Sequence, residues 1–287
     1  MERLAELQGR IANLGELQDI MGAMRALAAL RLQQAQTALP GIRRYTEVVD
    51  DGLVQAIGLL GAGGGGGGRG RGRPQADGPA AVIAFTSEHG FAGAYNEHVL
   101  DRVAPLLAGD GHQLLVVGSR GRLKADERSW KVSWWRPMAT HLDGVIEVAR
   151  RLAEQLYHVM AHSRLERVLL VHGRNTGGAG WKVGSETLLP FDSEGKRRRD
   201  MVAPLIQLDP ADLFNKLVEE YVFTRLMHAA MESFASENGA RLAAMEAAHD
   251  NIEIKLDALT LQARQQRQEE ITTELLDVVT GAMAATE

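Results

Sequence analysis

Apolar residues recur at heptad spacing near the N-terminus, at Leu4, Leu7, Ile11 and Leu14, then at Leu17, Met21, Met24 and Ala28. This is the pattern of a helix wound against one partner helix, with one shift of the seam between Leu14 and Leu17. The helical pattern runs over residues 3–58. Gly22 weakens it by about 1 kcal/mol relative to Ala, and Pro40-Gly41 predicts a kink or short break near residue 40. From Asp209 to Thr286 the chain has no proline after Pro210 and reads as a second unbroken helix, on the order of 110 Å long at 1.5 Å per residue. It opens on a capping Asp209, Pro210 at the first helical position and Asp212 in the first turn. Its apolar residues, among them Leu213, Leu217, Leu226, Phe234, Leu242, Met245, Ile252, Leu256 and Leu259, form a narrow seam flanked by polar faces. Two narrow seams on two long helices most simply bury each other as an antiparallel coiled coil.

Strand-like sequence occurs only between these helices. Ala80–Thr86, Gln113–Gly118 and Val168–His172 are short apolar runs, while Asn96–Leu107 and Asp143–His162 carry helical periodicity. Strands alternating with helices predict a small α/β domain with a mostly parallel sheet. Thr187–Pro190 and Met201–Leu208 add edge strands or lead into the last helix. The fold class is α/β, in four parts: a coiled-coil helix over residues 1–60, a linker over 61–79, the central domain over 80–208 and a coiled-coil helix over 209–287.

Composition narrows the functional classes. Aromatics make up 5% of the 287 residues, which fits narrow seams better than one broad core. A net charge of −5 gives no electrostatic reason to expect nucleic acid. There are no cysteines, hence no disulfide, thiolate metal site or cysteine nucleophile. No run approaches the length of a membrane-spanning helix, and the charged N-terminus is no signal peptide. A cytoplasmic chain that reaches a membrane only through partners is expected.

Individual motifs add little chemistry. The six glycines from Gly63 lack the Gly-Lys-Ser/Thr ending of a phosphate loop and the strand that leads into one. Arg71-Gly72-Arg73-Pro74 resembles an AT-hook core, but a single copy beside polyglycine reads as part of a flexible linker. Lys196-Arg197-Arg198-Arg199 reads as a solvated loop. The nine histidines show no spacing with carboxylates that marks a metal site. His158 and His162 stand at i and i+4 without an apparent third ligand. Ser87, Glu88 and His89 are adjacent, and as strand residues would point to opposite faces. No catalytic constellation and no cofactor site emerge.

The C-terminal segment Ile271-Thr272-Thr273-Glu274-Leu275-Leu276-Asp277-Val278-Val279-Thr280-Gly281-Ala282-Met283-Ala284 resembles the signature of the gamma subunit of F-type ATP synthases. Arg267-Gln268 matches the family's Arg-Gln pair. Ser236-Glu237 followed by Ala240-Arg241-Leu242-Ala243-Ala244-Met245 resembles a further segment of it. Thr86-Ser87-Glu88-His89-Gly90-Phe91-Ala92-Gly93-Ala94-Tyr95-Asn96 and Val117-Gly118-Ser119-Arg120-Gly121 resemble its central turns. The first helix departs from the family's lysine-rich stretch at Asp19, Gly22 and Arg25, and Glu269 replaces a small residue. With the polyglycine linker, these departures are the basis for expecting a divergent, sodium-type branch.

The resemblance implies a central rotor stalk, itself without an active site or cofactor. Its partners would be the alpha and beta subunits of the catalytic ring, the epsilon subunit and the c-subunit ring, at the cytoplasmic face of the bacterial inner membrane. The residues expected to touch the catalytic ring are Arg267, Gln268 and Thr272, with Met24 and Arg25 opposite them. The competing reading, a coiled-coil scaffold or nucleic-acid adaptor using the Arg-Gly linker, explains the long helices but not the segment at 271–284.

Overall fold

The computed structural model describes residues 2–63, 78–191 and 205–284. The polyglycine and Arg-Gly stretch from 64 to 77, the basic run 196–199 and residues 201–204 lie outside the described residues. Helix α1 spans Glu2–Gly63 and α5 spans Pro210–Ala284. Between them run β1 (Ala80–Phe85), α2 (Tyr95–Val103), β2 (Gln113–Val117), α3 (Ser119–Glu127), β3 (Val132–Arg136), α4 (Gly144–His162), β4 (Arg167–Gly177) and β5 (Gly180–Leu189).

The sheet order is β3-β2-β1-β4-β5. β1 pairs in parallel with β2 and β4, and β2 with β3, while β4 and β5 form an antiparallel hairpin. The expected mostly parallel sheet is therefore present, with two more elements than the apolar runs disclosed. α3 has only Gly121 and Ala125 buried, and β3 is an edge strand that alternates between half-buried and exposed. Neither carries a strong periodic signal. Thr187 to Leu189 form the end of the longer strand β5, whereas Leu205 to Leu208 form no strand.

Every residue of β1 is buried, as expected of a central strand covered on both faces. One face packs Ala80, Val82 and Ala84 with Tyr95, Val99 and Val103 of α2. α4 is amphipathic, burying Val145, Val148, Leu152, Leu156 and Val159 at helical spacing. Tight turns fix the strand ends. Gly118 holds φ at 112° directly after β2, where a Cβ would overlap the Thr86 carbonyl.

The chain divides into two compact units, one of residues 1–27 and 242–287 and the other of residues 28–241. Within the first, α1 leaves at Leu27 and α5 enters at Leu242, so the two segments run antiparallel. Shielded positions recur on α1 at 4, 7, 11, 14, 18, 21 and 25, and on α5 at 245, 249, 252, 256, 259, 263, 266 and 270. Both series keep strict alternation of three and four. The expected shift is absent: Gln18 occupies the seam and Leu17 stays 44% exposed. A shift on α1 alone would turn its apolar face away from a partner whose own series is unbroken.

In the second unit the α1 series continues through Ala28, Leu32, Ala35, Leu39, Thr46, Val49, Leu53 and Ala56, all buried. It passes Pro40 without the predicted break. Pro40 lies on the exposed face, and burial of Leu39 and Thr46 on either side outweighs the roughly 3 kcal/mol that an interior proline costs. α5 departs further from its narrow seam. From Ala229 to Arg241 every residue is buried, so the helix here has no solvent face. Small residues let neighbours approach on all sides. Gly173 of β4 is one such neighbour, since a Cβ there would come within 2.5 Å of the Ser236 Cβ and 2.8 Å of the Tyr95 ring.

Candidate functional site

The charged residues on this buried stretch of α5, Glu232, Glu237 and Arg241, are each held by a partner. Glu232 accepts from Arg43 of α1 at 2.5 Å and from the backbone N–H of Asn175 at 2.8 Å, and lies 3.5 Å from His228. Burial opposes its charge, but His228, Arg43 and the Asn175 N–H outweigh that and bring its carboxyl down to about 2. Glu186 of β5 follows the same logic. Burial is again the largest single influence, yet His172, Arg225 and Arg174 bring it down to about 2.

Glu237 goes the other way. Burial raises its carboxyl above the usual range even though Arg241 stands 2.6 Å away. Arg241 also donates to the carbonyls of His89 and Gly90, each at 3.2 Å. The loop after β1 is thereby fastened to α5. Ser87, Glu88 and His89 belong to this loop and not to a strand, because β1 ends at Phe85. Glu88 accepts from the Ser119 N–H at 3.1 Å, the Ser119 hydroxyl at 2.6 Å and the Met138 N–H at 2.8 Å. In doubly wound sheets, ligands enter at the carboxyl ends of the strands; here the chain's own carboxylate ties the loops after β1, β2 and β3 together there.

The residues expected to meet a partner lie in the helix pair of 1–27 and 242–287. Arg267, Gln268 and Thr272 are exposed, and the Thr272 hydroxyl donates to the Gln268 carbonyl at 2.8 Å. Met24 and Arg25 are half-buried.

Sequence reasoning missed a set of off-seam apolar residues. Leu17, Ile20 and Leu27 of α1 and Ile254 and Leu261 of α5 are 44–68% exposed. Beyond Glu270, Ile271, Leu275, Leu276, Val278 and Val279 are all at least 51% exposed. The detectable signal was apolar residues falling outside the heptad positions. These exposed apolar side chains are the candidates for a partner-facing surface. The same segment of α5 brings His249, Asp250 and Glu253 together, with potential ligand atoms within 4.8 Å of one another. The two carboxylates are exposed, so the grouping is an ordinary polar helix face.

A family model described as ATP synthase matches residues 3–285. The ATP synthase gamma chain of Thermobifida fusca (strain YX) is 30% identical over 295 residues, covering 96% of this chain and 94% of that one. The ATP synthase gamma chain of Prosthecochloris aestuarii (strain DSM 271 / SK 413) is 27% identical over 294 residues and 99% of both chains. Among solved structures, the rotor of the Euglena gracilis mitochondrial ATP synthase in rotational state 1 gives a TM-score of 0.69 at 14% identity. That match covers 94% of this chain and 99% of that one, and at such identity it speaks for the fold. The scaffold or adaptor reading finds no support in these likenesses.

Proposed function

The chain belongs to the ATP synthase gamma-chain family, and from that premise we propose that it is the central rotor stalk of an F-type ATP synthase. In this role it couples ion flow through a membrane sector to ATP synthesis or hydrolysis in a ring of alpha and beta subunits. The observation that carries the reading is the helix pair of residues 1–27 and 242–287, with a closed narrow seam and apolar residues left outside it. A closed seam keeps two helices stiff against twisting. Off-seam contacts, scattered among polar residues, form and break as the pair turns. Each catalytic subunit then favours whichever conformation the facing surface of the pair binds best.

Arg267, Gln268 and Thr272, with Met24 and Arg25 on the opposite helix, form the contacts with the catalytic ring. Arg267 and Gln268 suit carboxylates on a partner loop, since an exposed guanidinium makes charge-assisted bonds that can be exchanged. The α/β domain supplies the surface for the epsilon subunit and the c-subunit ring. Among the described residues no helix is long and apolar enough to cross a membrane. The chain is therefore taken to be peripheral, held through its partners at the cytoplasmic face of a bacterial inner membrane.

The test is co-purification of a tagged chain from its native host. Recovery of alpha, beta and epsilon subunits with ATPase activity is the expected result. Recovery of the chain alone, or with nucleic acid, would sink the assignment.

A further inference from the structure

α4 ends at His162, and its last turn carries His158 and His162 one above the other on the solvent face. Their ring centroids are 4.3 Å apart with the planes inclined at 38°. The Nδ1 of His162 lies 2.8 Å from the His158 carbonyl. Donating its proton there leaves the Nε2 lone pair of His162 facing outward. Metal-bound histidines characteristically anchor their second ring nitrogen in this way, which fixes tautomer and ring direction. Two imidazoles at i and i+4 on a continuous helix are chelating neighbours, because that spacing places them on one face. The position also favours a cation. The final turn of a helix presents unpaired carbonyls and the negative end of the macrodipole.

We propose that His158 and His162 form a two-imidazole binding site for a borderline divalent transition cation such as Zn²⁺, Ni²⁺ or Cu²⁺. Glu154, one turn before His158, is engaged by Arg150 and Arg151, so it does not complete the site. Water fills the remaining positions, and hard cations that want oxygen donors are not taken. The ligands must be neutral imidazoles, so binding competes with protons and weakens in acid. Affinity follows the usual nitrogen-donor order, with Cu²⁺ above Ni²⁺ and Zn²⁺. This inference does not depend on the rotor reading.

The experiment is calorimetric titration of the full chain with Zn²⁺, Ni²⁺, Cu²⁺ and Mg²⁺ at pH 7.5. One site per chain is expected for the first three and none for Mg²⁺. His158→Ala and His162→Ala should each weaken Zn²⁺ by about tenfold or more, and the double variant should abolish the site. His249→Ala, which removes the histidine grouped with Asp250 and Glu253, should leave it unchanged. Both α4 histidines are exposed, so circular dichroism should confirm that the variants fold. Undiminished binding in the double variant, or loss of binding in His249→Ala, would overturn the proposal, as would equal affinity for Mg²⁺.

Discussion

Glu186, Glu232 and Glu237 show how the same side-chain chemistry is set to different ends by its neighbours. Glu186 and Glu232 bind their protons more weakly in the fold than in the unfolded chain, where the carboxyl titrates near 4.5. The stability they contribute is complete above about pH 4.5 and is lost as pH falls toward 2. Glu237 opposes this trend, because burial raises its carboxyl and makes its charge a cost near neutrality. Glu232→Gln should lower the thermal midpoint at pH 7 and flatten its decline between about pH 4.5 and 2. A decline as steep as that of the parent chain would show that Glu232 is not a source of the acid sensitivity. The Glu237–Arg241 pair makes a second prediction. Arg241→Met should cost roughly 3–5 kcal/mol in urea unfolding, because it strands a buried carboxylate and frees two loop carbonyls. Adding Glu237→Gln should return part of that loss, and a double variant no more stable than the single would refute the coupling.

At the scale of elements, the seam decides which leucines matter. Leu14 is shielded at a heptad position and Leu17 is not. Leu14→Ala should therefore cost about 1–2 kcal/mol, while Leu17→Ala should leave helix melting, followed by circular dichroism, nearly unchanged. The reverse order would restore the seam shift expected from the leucine pattern alone. That pattern misled because Gln18, a polar residue, occupies a seam position that a search for apolar residues passes over. The same blindness hid α3 and β3, whose contacts rest on Gly121, Ala125 and the half-buried side of Val132 and Trp134. It also hid the full burial of α5 from Ala229 to Arg241. Glu232, Glu237 and Arg241 read as a solvent face in sequence, because pairing partners from α1, β4 and the loop after β1 are far away in the chain. Long periodic stretches such as α4 and the two terminal helices were legible because their burial follows their own local pattern.

At the scale of the whole molecule, the proposed contacts with a catalytic ring fall on residues that stability does not explain. Arg267, Gln268 and Thr272 were legible only through the family signature, since nothing in their spacing distinguishes them from other polar residues on α5. The structure adds that they are exposed and that the apolar residues from Ile271 to Val279 are exposed beside them. Side chains that are more than half exposed in the isolated chain contribute little to its folding. Removing residues 271–287 should therefore leave the thermal midpoint of the isolated subunit unchanged. If the segment turns against a surrounding ring, the same deletion should lower ATP-driven ion pumping in the assembled complex. Arg267→Ala separates the polar contact from the apolar one. It should keep the fold and the ATPase assembly while reducing ions moved per ATP hydrolysed, because a lost exchangeable contact weakens the bias on each catalytic site without removing it. Unchanged pumping in both variants would place the working contacts elsewhere on the helix pair. Unfolding of either variant would show instead that this end of α5 is needed for the subunit's own structure.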